Sequence, residues 1–165
     1  MSEQNKQGTM MVVPAFRHCP ELKLNMVGWE TAMKRFPEAK TLVASNYLDL
    51  EFTFQEAWRE SKRNAIQVGD ALKKARQNVE EIKSDIILDE IPKLMEELPK
   101  SVTGNAHFRN AVIARNEDYK QAQTHVEKLE AMLEHFESHM KIMENTSRFL
   151  KKQMDYFKNT GITMR

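Results

Sequence analysis

Disulfide chemistry is excluded first. Cys19 is the only cysteine, so no intramolecular bridge can form, which fits a reducing compartment. Glycine and proline are equally scarce, with five of each in 165 residues. So few turn formers favour an all-α fold over a turn-rich β architecture. No apolar run approaches the ~18 residues of a membrane span, and the N-terminus has no basic-then-apolar leader. The expectation is a soluble, cytoplasmic chain without a membrane partner. Neither charge sign dominates: 25 Lys and Arg stand against 24 Asp and Glu, a formal net charge of +1. Global charge therefore points to neither nucleic acid nor membrane, and any electrostatic function must come from local patches. Glycine-rich phosphate loops, nucleophile elbows and CxxC pairs are also missing, so no enzyme activity, cofactor or metal is expected.

What is present is heptad-like periodicity. Alternating steps of four and three run from Phe108 through Val112, Arg115, Tyr119, Ala122, Val126, Leu129, Leu133, Phe136, Met140, Met143, Ser147, Leu150 and Met154 to Phe157. Only Arg115 and Ser147 are polar. Such a repeat keeps one seam of a long helix against a partner, over roughly 75 Å at 1.5 Å per residue. A second seam runs Phe54, Ala57, Ser61, Ala65, Val68, Leu72, Ala75, Val79, Ile82 and Ile86. Its two consecutive fours at Ala57, Ser61 and Ala65 are a stutter, which locally relaxes a left-handed supercoil. The 11 methionines read as adaptable filler of such cores.

Pro92 and Pro99 bracket a short helical turn, Ser101 to Asn105 reads as a loop, and Thr103 or Asn105 can cap the final helix. Two long amphipathic helices so joined should fold back antiparallel. The predicted fold is all-α: a long antiparallel helical hairpin, or coiled coil, over residues 25–165, with a short N-terminal helix packed near its open end. That short helix carries Val27, Trp29, Met33 and Phe36 behind a cap at Asn25, and Pro37 opens the next segment. Residues 1–24 read as a poorly ordered tail, although Met10 to Val13 could form a short strand.

Charge supports the hairpin. With the turn near Pro99, Arg76 and its basic neighbours face Glu127, Glu130, Glu134 and Glu137, while Lys151 and its neighbours face Asp49, Glu51 and Glu56. Exposed pairs of this kind select register more than they stabilise.

Three groups are candidates for chemistry. His135 and His139 share a helix face, but no third ligand accompanies them and HFESH is not HExxH. They read as boundary residues of the seam. Arg59, Lys62 and Arg63 beside Trp58, and Arg148, Lys151 and Lys152 around Phe149, combine cations with aromatics. That combination suits a single-stranded nucleic acid, whose phosphates take the cations and whose bases stack. Ile142, Phe149 and Tyr156 recur every seven residues as a second stripe, predicting an oligomer or partner interface.

Glu117, Tyr119, Leu129 through Phe136, and then Ser147, Arg148, Phe149, Lys151 and Lys152 give the C-terminal half a resemblance to the phage UvsY recombination mediator family. Arg148 and Phe149 are adjacent here, where that family has a glycine between them. The resemblance implies a self-assembling helical accessory protein without enzymatic activity. Such a protein binds single-stranded DNA and helps load a recombinase onto strands covered by single-strand-binding protein, in the bacterial host cytoplasm if phage-encoded. It carries over Arg148, Phe149, Lys151 and Lys152 as DNA contacts. The alternative is a coiled-coil scaffold, chaperone or inhibitor that holds a protein partner on a Met-rich apolar face.

Overall fold

The computed structural model describes residues 9–43, 45–98 and 106–160. Two short antiparallel strands, β1 (Met10–Val13) and β2 (Leu22–Asn25), precede helix α1 (Val27–Arg35) and a 3₁₀ segment (Phe36–Thr41). Helix α2 (Tyr47–Asp85) runs through a π-helical stretch (Ile86–Glu90) into α3 (Ile91–Glu97). Two further helices, α4 (Ala106–Arg115) and α5 (Glu117–Thr160), follow among the described residues. The fold is all-α with one small sheet. The turn placed near Pro99 and the loop and caps at residues 101–105 lie outside the described residues.

The described residues form two compact units. One contains residues 9–13, 22–67 and 132–160, the other 14–21, 68–98 and 106–131. Both α2 and α5 contribute a segment to each.

In the first unit the apolar periodicity of α2 and α5 becomes a shared core. Leu50, Phe54 and Ala57 of α2 pack with Met143 and Leu150 of α5, and Ala32, Ala39 and Leu42 close the same cluster. Phe36 meets Phe54 edge to face at 6.2 Å. The helices run antiparallel: Lys151 reaches Glu51 at 3.3 Å, and Gln55 and Trp58 lie with Ser147 and Glu144. Every position of the α2 seam, including both fours of the stutter, is buried. On α5 the seam is buried at Ala122, Val126, Leu129, Phe136, Met143 and Leu150 but only half-buried at Leu133, Met140 and Ser147, and His139 and Thr146, one residue before the last two, are buried instead.

The N-terminal residues depart from the sequence reading. Residues 10–24, expected within a tail that allowed only a short strand at Met10 to Val13, form with Asn25 a hairpin whose strands pair Met11 with Leu24 and Val13 with Leu22. Leu24 and Val13 are buried, so the strands gain an apolar face that isolated two-strand ribbons lack. Asn25, expected to cap α1, lies one residue before the N-cap Met26, which makes no side-chain cap bond; its side-chain oxygen instead accepts the Val27 N–H at 3.1 Å in an Asx turn.

In the second unit, residues 14–21 carry the hairpin tip. Phe16 and Cys19 exchange backbone hydrogen bonds of 2.9 and 2.8 Å around Arg17, whose φ is 47°. The Cys19 thiol is buried, which raises its pKa, and Phe16 stacks on His125 at 5.3 Å. Arg76 pairs with Glu130 at 2.7 Å and Glu90 with Asn116 at 3.0 Å, again an antiparallel run. The π stretch ends where Ile91 donates to Ile86, five residues back. That extra residue per turn lies immediately ahead of Pro92, which has no N–H for the helical ladder.

The single helix predicted from Phe108 to Phe157 is broken at Asn116. The Asn116 N–H is shared between the Val112 and Ile113 carbonyls, each at 3.2 Å. Its side-chain oxygen accepts the Tyr119 N–H at 3.0 Å and so caps α5. The break shifts the phase of the seam: Ile113 is buried and Arg115 is exposed.

Candidate functional site

The first unit holds the candidate residues, and a buried carboxylate fixes its geometry. Glu60 sits in α2 with 6% of its surface exposed. Its two oxygens accept the Gly28 and Trp29 N–H groups at 2.9 and 3.0 Å. These are among the first N–H groups of α1, which have no partner inside their own helix, and a carboxylate there also complements the helix dipole. One turn on, the Asn64 amide donates to the Asn25 carbonyl at 2.7 Å. The Glu60 and Asn64 bonds tie α1 and the end of β2 to α2.

Trp29, thus placed, lies flat on His139 of α5, with centroids 3.4 Å apart and planes 4° from parallel. His139 is buried and its Nδ1 has no hydrogen-bond partner. Burial, with His135 beside it, lowers its pKa to about 4. The imidazole is neutral at physiological pH and acts as a flat packing surface. Among the described residues, no group of three or more His, Cys, Asp or Glu side chains is placed to hold a metal ion.

On another flank of α2, Gln55, Trp58 and Arg59 face Glu144, Ser147 and Lys151 of α5 across a cleft of about 270 Å³. The Lys62 ammonium stands 5.1 Å above the Trp58 ring, a cation–π distance. One cation of each basic cluster, Arg59 and Lys151, therefore lines this cleft. Arg59, Lys62 and Arg63 come from α2, and Arg148 and Lys151 from α5. Several of these cations already have carboxylate partners. Arg59 pairs with Glu56, Arg148 with Glu144 at 2.6 Å and Lys151 with Glu51 at 3.3 Å. Arg63 and Lys152 are exposed and form no ion pair with a described residue.

Phe149 does not join them. It lies beside a separate cleft of about 280 Å³ with Phe36, Ala39, Lys40, Asn145 and Thr146. Ile142 and Tyr156 share its exposure, at 40% and 57%. The stripe predicted as an oligomer or partner interface is thus exposed at all three residues, and α1 sets Trp29 on His139 rather than on the stripe. Sequence reasoning missed Glu60 and its bonds to α1. The available signal was a carboxylate immediately before seam residue Ser61, on the side where Asn64 recurs four residues later.

No helix of the described residues is long and apolar enough to cross a membrane. Comparison with protein-family models, with curated proteins and with solved structures returned no match.

Proposed function

We propose that the protein is a non-enzymatic accessory factor that holds single-stranded DNA along the α2–α5 cleft and assists a recombinase or a single-strand-binding protein. The observation that carries this reading is the half-buried Trp58, lying under Lys62 at a cleft lined by Arg59 and Lys151. An indole face ringed by cations suits a base stacked on the ring with its phosphates on the rim. The carboxylate partners do not block such a rim. Exposed ion pairs contribute about 0–1 kcal/mol, so a phosphate can displace Glu56 or Glu144 at little cost. Lys151 is held more firmly, because the Glu51 side chain is only 15% exposed. Arg63 and Lys152, without carboxylate partners among the described residues, make the outer phosphate contacts. The resemblance to phage recombination mediators agrees with this reading, and implies the cytoplasm of a bacterial host if the protein is phage-encoded.

Fluorescence anisotropy of labelled single-stranded and duplex DNA tests it. Single strands bind preferentially, and log K falls with log salt by about 0.7 per phosphate neutralised. Binding quenches Trp58, and changing Arg59, Lys62 and Lys151 together to Glu abolishes it. Equal affinity for duplex, or wild-type binding in the triple variant, would overturn the assignment.

A further inference from the structure

In the second unit, a buried polar group without a partner opens on a cleft that the proposed DNA site does not use. Asn78 of α2 has 3% of its surface exposed, and its amide nitrogen has no hydrogen-bond partner among the described residues. Proteins satisfy nearly all of their buried polar groups, so an orphaned donor calls for an acceptor from outside the chain. Asn78 lines a cleft of about 300 Å³ together with Lys74, Gln77 and Glu81 of the same helix and His18 of the hairpin tip.

Both walls of the cleft are fixed by the fold. Lys74, Gln77, Asn78 and Glu81 recur at three- and four-residue steps, which sets them on one flank of α2. His18 is held beside them by its neighbours: Phe16 and Cys19 exchange backbone hydrogen bonds, Phe16 stacks on His125, and Arg17 pairs with Asp118. Cys19 is buried, and the Lys74 ammonium offsets part of the rise that burial imposes on its thiol pKa. Lys74 therefore stands at the hairpin end of the cleft.

Charge is divided along it. Lys74, His18 and Glu81 form no ion pair with one another or with any other described residue. Gln77 and Glu81 also border a neighbouring cleft with Arg76, Glu80, Ser84 and Asp85. Arg76 is engaged there by Glu130, so that end is acidic.

We propose that the cleft binds a small zwitterion of amino-acid or dipeptide size, its carboxylate held by Lys74, His18 and the Asn78 amide and its ammonium by Glu81. Seven residues separate Lys74 from Glu81, about 10 Å of helix, and Asn78 stands between them. A ligand charged at both ends satisfies both groups. A simple anion does not, because it would meet the Glu81 carboxylate with a like charge. The Gln77 amide offers a donor and an acceptor to the peptide group of a dipeptide.

The test is an NMR titration of the full chain with glycylglycine. The side-chain amide signals of Asn78, identified by their absence from Asn78→Leu, move and saturate. Acetylglycylglycine, which lacks the ammonium, and glycylglycine amide, which lacks the carboxylate, each bind about tenfold or more weakly, as the loss of a hydrogen bond to a charged group predicts. Inorganic phosphate does no better. Glycylglycine also raises the Tm of the wild type by mass action, and Asn78→Leu loses that rise. Lys74→Gln and Glu81→Gln alter exposed side chains, so they keep the unliganded Tm and bind glycylglycine about tenfold more weakly. Asn78 signals that stay in place, an equal response to the acetylated peptide or to phosphate, or wild-type affinity in Glu81→Gln would each overturn the proposal. Arg59, Lys62 and Lys151 are unchanged in every variant, so this proposal and the DNA reading fail separately.

Discussion

Trp29 and His139 stack face to face at 3.4 Å, and the imidazole keeps its neutral form because it is buried there. Its pKa is about 4 in the fold against 6.5 ordinarily. Between those values the unfolded chain takes up a proton that the folded chain refuses, so this group contributes stability above pH 6.5 that is lost as pH falls toward 4. Urea midpoints should therefore decline from pH 7 to pH 5. His139→Phe, which keeps a flat ring on Trp29, should flatten that decline. An unchanged slope in the variant would mean that His139 does not govern this window.

Glu60 makes a separate prediction. Replacing it by Ala leaves the Gly28 and Trp29 N–H groups without acceptors in a partly buried place, at about 1–3 kcal/mol. Trp29 fluorescence should report the loss as a lower urea midpoint. Gly28→Ala should also destabilise, because the new methyl would lie 3.1 Å from the Glu60 carboxyl carbon and 3.1 and 3.2 Å from its oxygens. That carboxylate is buried and bonded twice, so it has little room to yield. In the Glu60→Ala background the clash is gone and Gly28→Ala should become neutral or stabilising, a coupling that a double-mutant cycle measures.

The core gives the largest effect. Phe54 is fully buried between α2 and α5, against Phe36. Phe54→Ala should cost about 3–5 kcal/mol, from lost burial and the cavity left behind. Chemical denaturation checks it, and a loss near 1 kcal/mol would mean that the surrounding residues collapse into the space.

How much of this the sequence disclosed follows from the range of each interaction. The α2 seam from Phe54 to Ile86 was legible residue by residue, since helical period reports directly which side faces a partner. Arg76–Glu130 and Glu51–Lys151 were legible as charge register. The strand at Met10–Val13 was legible as a possibility, but its partner at Leu22–Asn25 and their pairing were not. Each strand has four residues, too few for a period to stand out, and the burial of Leu24 and Val13 is not a local property. Glu60 was hidden for the same reason: its partners lie 31 and 32 residues away, and its place beside Ser61, with Asn64 one turn on, marks a seam-edge position without naming the N–H groups it caps. In the cleft, the sequence located the cations but not their partners. Arg59 and Arg148 each turn to a carboxylate on their own helix rather than across the pair.

Asn116 was read as an unremarked position inside one long helix, yet its side chain supports the break between α4 and α5. It accepts the Tyr119 N–H and donates to Glu90, both at 3.0 Å. Asn116→Ala removes both bonds while favouring helix at that residue. Loss of the cap costs about 1 kcal/mol, whereas Ala gains only a few tenths to ~0.7 kcal/mol of propensity. A net loss is therefore expected, read as a lower Tm. Asn116→Ser keeps a capping oxygen but cannot reach Glu90, and should fall between Ala and wild type. A rise in Tm for Asn116→Ala would reverse the argument: the break would then be a strained interruption of one helix, and straightening it would restore the seam position of Arg115 at the expense of Ile113.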